Sequence, residues 1–246
     1  MDLELGMLNV LIGANGAGKS NFVSFFKLLN EMMAGRLQQY IGATGRAKSL
    51  LYLGPKVTPQ LEATLEFEAP NVRDVYHMRL FHAANDSLVF AEEELDCQKH
   101  DRHGTCRSPK SLGAGHQETR ISDLAAEGNT MAIVFRRTLN NCRTYHFHDT
   151  SPSSRVRQHS FIDANRWLMP DAGNLAAMLY AYRHQHEPVY RRIVSTIKKV
   201  MPTFDDFDLE PDRLNPREIA LNWRRLGSDY LFGPHQISDG TLRAMA

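Results

Sequence analysis

The segment Gly13-Ala14-Asn15-Gly16-Ala17-Gly18-Lys19-Ser20 constrains this chain more than any other. It satisfies the G-x-x-x-x-G-K-[ST] phosphate-loop pattern at every fixed position. Residues 8–12, Leu-Asn-Val-Leu-Ile, form a short apolar run before it and predict a buried strand. After it, Phe22, Phe25, Phe26, Leu29, Met32 and Met33 recur at the spacing of one helix face. Strand, glycine loop and helix in that order are the setting in which the pattern cradles phosphate. Glycines let successive backbone N–H groups turn inward, and the loop feeds a helix N-terminus, where unpaired N–H groups and the dipole favour an anion. The pattern therefore predicts a triphosphate as ligand. Lys19 would reach the β- and γ-phosphates, and the Ser20 hydroxyl would ligate Mg2+. Gly13, Ala14, Asn15, Gly16, Ala17, Gly18 and Asn21 complete the expected nucleotide site.

The rest of the chain narrows what such a loop could serve. With 246 residues, one large domain or two lobes fit. A formal net charge of +1 provides no whole-protein field toward nucleic acid or acidic lipid. No apolar run is long enough to span a bilayer, and the acidic start, Met1-Asp2-Leu3-Glu4, is unlike a signal peptide. Three cysteines give no disulfide framework, so a reducing cytoplasm is the expected compartment.

Beyond the first helix, which should stop near Ala34-Gly35, residues 36–54 read as loop and short helix. Strands are expected at 61–68, 75–81 and 87–91, joined by short turns as an antiparallel meander. Residues 96–128 are polar and dotted with glycine, and predict a long excursion from the sheet. The run 131–135 suits a helix and 142–148 a strand, followed by a turn at 149–154. Residues 174–200 carry two apolar helical stripes, with Pro188 opening the second helix and Asp205-Asp206 lying past its end. Strands are expected at 219–223 and 230–232.

Near the end stands Gln236-Ile237-Ser238-Asp239-Gly240-Thr241-Leu242-Arg243, with Ser238 well typed for a helix N-cap. Together with the glycine loop, this segment resembles the bacterial predicted ATPases related to the RecF, SMC and OLD proteins, whose heads are ABC-type. Residues 90–95 and 146–152 extend the resemblance. It implies an α/β P-loop NTPase head: a loop core over 1–60, a β-rich part over 61–150, and a helical lobe over 151–246. It also implies an ATPase working as a homodimer. The Ser238–Gly240 element would be the signature motif, with Ser238 and Gly240 facing the γ-phosphate held by the second copy. Gln158 is the candidate for the glutamine that joins the lobes and senses Mg2+ and phosphate. Relatives of this kind work on DNA or with effector proteins, and Arg191-Arg192, Lys198-Lys199 and Arg224-Arg225 are the basic pairs available.

The family places an apolar strand ending in Asp-Glu after the signature helix, followed by a switch histidine. Here Ala246 stands three residues past Arg243, and the expectation is a chain trimmed at both ends. A non-catalytic ATP-binding module is the alternative, and a small-molecule kinase using the same loop is a more distant one. Residues 87–94, Ser-Leu-Val-Phe-Ala-Glu-Glu-Glu, could imitate the missing strand with Glu92 or Glu93 as base, although a strand in an antiparallel sheet suits them better. Cys97, His100, His103 and Cys106 include zinc-ligand types, but the even spacing favours a polar loop. His146 and His148 would share one face of a strand.

Overall fold

A computed structural model describes residues 2–101, 104–147 and 149–245. The chain divides into two compact units, Met1–Thr144 and Tyr145–Ala246. Both are mixed α/β, and every strand pair among the described residues is antiparallel.

In the first unit, helix α1 (Lys19–Met33) runs as its periodicity requires, burying Leu28, Leu29, Met32 and Met33. It stops where Gly35 enters the left-handed region at φ 68°. Two short helices follow, α2 (Leu37–Ala43) and α3 (Ala47–Leu50). The meander is β1 (Gln60–Ala69), β2 (Val72–Ala83), β3 (Ser87–Asp101) and β4 (Gly104–Ser111), in that spatial order. Helices α4 (Ile121–Ala126) and α5 (Thr130–Asn140) complete the unit. Tyr76, Met78 and Leu80 of β2 and Leu88, Phe90 and Leu95 of β3 share one core with α1, α4 and α5. Phe67 packs edge-on against Phe135 at 5.2 Å between centroids. Asn30 of α1 donates to the Asn140 carbonyl at 2.7 Å, closing an otherwise open end of α5.

A bulge fixes what the third strand presents. The β2–β3 register shifts between Arg79 and Leu80, so Arg79 faces Glu92 while Leu80 faces Phe90, and Ala91 is the extra residue. Up to the bulge even-numbered residues face the core; beyond it odd-numbered ones do. Glu93 thereby points inward and Glu92 outward.

The second unit carries α6 (Leu175–Gln185), α7 (Glu187–Val200) and α8 (Asp239–Met245) over two small sheets. One pairs β5 (Ser160–Phe161) with β7 (Glu218–Ile219). The other orders β6 (Phe204–Asp208), β8 (Asn222–Arg225) and β9 (Leu231–Phe232). Pro188 sits in the first turn of α7, where its missing N–H costs no helical bond. Phe204, Trp223 and Phe232 stack in series through the core of this unit.

Three expectations are corrected. Residues 8–12 form no strand, and Leu8, Val10 and Ile12 are 85%, 73% and 91% exposed. A lone extended segment gains nothing without a ladder partner, and β1 to β4 pair with one another. The polar stretch 96–128 is a hairpin rather than an irregular excursion: β3 runs on to Asp101 and β4 returns, pairing Glu94 with Ser111 through Asp101 with Gly104. Residues 142–147 form no strand, and the paired-histidine reading loses its geometry; His148 lies outside the described residues. Asp205 and Asp206 do lie past the end of α7, and they belong to β6, where Phe204 and Phe207 on either side of them are buried.

Candidate functional site

The residues singled out in the glycine loop lie on one continuous turn into α1. Gly16 and Gly18 hold φ values of 85° and 88°, a region that residues with a Cβ enter only under strain. Within the turn, the Ala17 N–H donates to the Ala14 carbonyl at 3.2 Å. The first helical bond runs from the Phe22 N–H to the Gly18 carbonyl at 3.0 Å. The amides of Gly18, Lys19, Ser20 and Asn21 are the four N–H groups that a helix start leaves without an intrahelical partner. Gly13 to Ala17, Ser20 and Asn21 are exposed, and Gly18 and Lys19 are half-buried.

Lys19 folds back across the loop. Its ammonium donates to the Gly13 carbonyl at 2.6 Å and to the Ala14 carbonyl at 2.7 Å. Two carbonyls that would repel an anion are thereby covered by a cation, and one of the three ammonium donors remains to spend. The Ser20 side chain is exposed at the second helical position. An oxygen in this place can serve a Mg2+ ion that takes its other ligands from phosphate and water.

The second motif is a separate element. Ser238 caps α8 as its residue type predicts: its Oγ accepts from the Thr241 N–H at 3.2 Å, and the Leu242 N–H donates to its carbonyl at 2.9 Å. Gly240 lies in the first turn of that helix and is exposed. Gln158 is also exposed, and its side-chain amide donates to the Pro152 carbonyl at 3.3 Å.

Arg157, the residue before Gln158, went unrecognised in the sequence. Its side chain is only 5% exposed and is spent on this same turn. Nε donates to the Thr150 carbonyl at 3.0 Å; Nη1 reaches the carbonyls of Pro234 and Ile237; Nη2 reaches the Ile237 carbonyl and Asp239 Oδ1, the last at 2.8 Å. Thr150 lies close in the chain, but its partners on this turn are 77, 80 and 82 residues away, so local pattern carries no sign of them.

The acidic run 92–94 is occupied. Glu93 is fully buried and accepts from the Tyr76 hydroxyl at 2.9 Å, His116 Nε2 at 2.8 Å, the Thr119 hydroxyl and the Arg120 N–H at 3.1 Å. Burial, and then the Glu93 carboxylate, push the Tyr76 hydroxyl well above its ordinary pKa. Glu92 on the other face pairs with Arg79 at 3.1 Å. These carboxylates hold the sheet and its loop together.

Among the described residues no group of three or more His, Cys, Asp or Glu is arranged to hold a metal. Cys97 lies on β3, and His103 is outside the described residues. The basic pairs are partly neutralised: Arg191 bridges Glu187, Lys198 bridges Asp205 and Arg224 bridges Asp208. A groove of about 800 Å³ on the first unit is lined by Leu3, Leu5, Phe22, Phe25, Phe26 and the 61–66 segment, and residues 13–20 do not line it. No helix among the described residues is long and apolar enough to cross a membrane. The architecture is thus α/β with antiparallel sheets and two separate motif-bearing turns. No family model, curated protein or solved structure matches this chain.

Proposed function

We propose that this chain binds Mg-ATP through Gly13 to Asn21 as an ABC/SMC-head-type P-loop module of the cytoplasm. Two copies associate around the nucleotide, and hydrolysis follows in the complete assembly. One observation carries the reading: a loop with left-handed Gly16 and Gly18 delivers four open amides and an inward-folded lysine to the start of a 15-residue helix. That combination concentrates donors on an anion of phosphate size at little reorganisation cost. In this reading Gly18, Lys19, Ser20 and Asn21 present N–H groups to phosphate oxygens, Lys19 adds its charge and Ser20 holds Mg2+. Ser238 and Gly240 serve the nucleotide of the second copy, and Gln158 senses the metal and phosphate. DNA or an effector protein would be the partner acted upon.

The second reading, nucleotide binding without turnover by this chain, is favoured by the state of its acids. Glu93 already accepts from four donors, and Glu92 is paired with Arg79, so neither is free to activate water.

Equilibrium binding of labelled ATP with Mg2+ tests the proposal. The Lys19→Ala variant should bind about tenfold more weakly or worse, an effect of about 1.4 kcal/mol or more. Equal binding by the two proteins, or none by either, would remove the loop from the account. Phosphate release measured alongside separates the two readings.

A further inference from the structure

We infer that the free edge of β1 is a docking site for an extended protein segment in which apolar and basic side chains alternate. The inference is independent of nucleotide binding and concerns the groove on the first unit, which residues 13–20 do not line. Strand β1 is the outermost strand of its sheet, and no strand among the described residues pairs with its other side. Along that side every second residue turns its N–H and C=O away from β2, as a ladder for one more strand. Sheet edges are normally blunted by a proline, a bulge or an inward charge. The opposite edge, β4, carries Pro109, and its Lys110 stands opposite Leu95 on the core-facing side. Strand β1 has none of these. Its ten residues include no proline or glycine, and its register with β2 runs unbroken from the Gln60–Phe81 pair to the Ala69–Val72 pair.

The groove along this edge supplies the apolar half of the recognition. One wall is Phe22, Phe25 and Phe26 of α1, with Phe22 edge-on to Phe26 at 5.2 Å between centroids. The other wall includes Leu61 and Leu65, which face the core yet remain half-buried. A strand added at β1 would lay every second side chain against these groups. The outer face of the sheet sets the charge. There β1 presents Glu62, Glu66 and Glu68, β2 presents Arg73, His77 and Arg79, and β3 presents Glu92 and Asp96. Bases flank β3 on both sides: Arg79 of β2 pairs with Glu92 at 3.1 Å, and Arg107 of β4 with Asp96 at 2.6 Å. The acids of β1 meet bases on one side only. Arg73 pairs with Glu66 and Glu68, and Arg79, opposite Glu62, is turned to Glu92. The next strand in this alternation is a basic one. The same acidic row disfavours two other occupants. Pairing β1 with β1 of a second copy sets glutamates against glutamates. Asp2, Leu3 and Leu5 border the groove, and residues 2–5 alternate like a strand, yet they form no ladder; their acids would join the same row.

The test uses the full chain and capped, labelled peptides of one strand length. In one peptide Val and Lys alternate, in another Val and Glu alternate, and in a third the same Val and Lys residues are gathered into two blocks. Fluorescence anisotropy measures their binding to the wild type and to the double variant Glu62→Lys/Glu66→Lys. The alternating Val–Lys peptide should bind the wild type about tenfold or more tightly than either other peptide. The double variant should prefer the Val–Glu peptide by a similar factor, an inversion that loss of structure does not produce. Amide exchange of the wild type with bound Val–Lys peptide should slow within residues 61–67, which decides the matter if the double variant does not fold. No binding, equal binding of the blocked and alternating Val–Lys peptides, or protection away from β1 and its groove overturns the inference. An unchanged preference in the folded double variant does the same. Exchange within residues 61–67 that slows with rising protein concentration, without peptide, makes a second copy the occupant and also overturns it.

Discussion

The glycine loop is held by two hydrogen bonds from one lysine on an exposed stretch of chain, whereas the Ser238 turn hangs on a buried guanidinium with all five donors engaged. The sheet repeats the second pattern at Glu93, a buried carboxylate with four donors around it. Polar groups in this protein are therefore of two kinds. Those of Glu93 and Arg157 are spent on structure, and their loss should be felt as stability. The backbone amides of residues 18–21 and one donor of the Lys19 ammonium are unspent, and their loss should be felt as binding.

The largest effect expected from this contrast is at Glu93. Glu93→Ala strands the Tyr76 hydroxyl, His116 and Thr119 in the core, and should cost about 3–5 kcal/mol. Urea titration of Glu93→Ala against Lys19→Ala would measure it, with the lysine variant within about 0.5 kcal/mol of wild type. A Lys19→Ala loss as large as that of Glu93→Ala would break the division between spent and unspent groups.

Alkaline titration sharpens the same contrast inside each unit. Burial raises the hydroxyl pKa of Tyr76, and Glu93 adds to the rise; burial also raises Tyr190, with help from Asp206. Because the folded values exceed the ordinary tyrosine value of about 10, the stability tied to the neutral hydroxyls is full below that pH and is lost as pH climbs beyond it. Tyr76→Phe and Tyr190→Phe should each flatten the loss when denaturation midpoints are followed above pH 10. A slope unchanged in both variants would assign the alkaline limb to other groups.

How far these features were legible in the sequence depends on what fixes each one. Helix α1 and strands β1 to β3 follow from periodicity, because their apolar residues fall on the faces that meet in one core. The apolar run at 8–12 has the composition of a strand, but composition does not supply a pairing partner. Strand β4, with Arg107, Ser108, Pro109 and Lys110, has no apolar alternation and forms as an edge, where proline is tolerated. Glu93 turns inward only because Ala91 adds a residue to β3, and no local pattern announces a bulge. The Ser238 cap was readable from its residue type, while the arginine that holds the turn was not, since all its partners there are distant in the chain.

Two smaller effects complete the comparison. Ser238→Ala removes the acceptor for the Thr241 N–H and should cost about 1 kcal/mol in chemical denaturation. Ile12→Lys should change stability by less than about 0.5 kcal/mol, since the side chain is already 91% exposed. A loss of several kcal/mol at Ile12 would mean that residues 8–12 are buried in solution, and would restore the strand that the glycine-loop pattern leads one to expect.

The central claim is that the open amides of residues 18–21 receive the phosphates of ATP. Amide hydrogen exchange, followed with and without Mg-ATP, addresses these groups one by one. At an Mg-ATP concentration near the wild-type Kd, the account predicts slowed exchange across residues 13–22 in the wild type and far weaker protection in Lys19→Ala. Unchanged exchange in that segment under saturating Mg-ATP, or equal protection in the Lys19 variant, would contradict it.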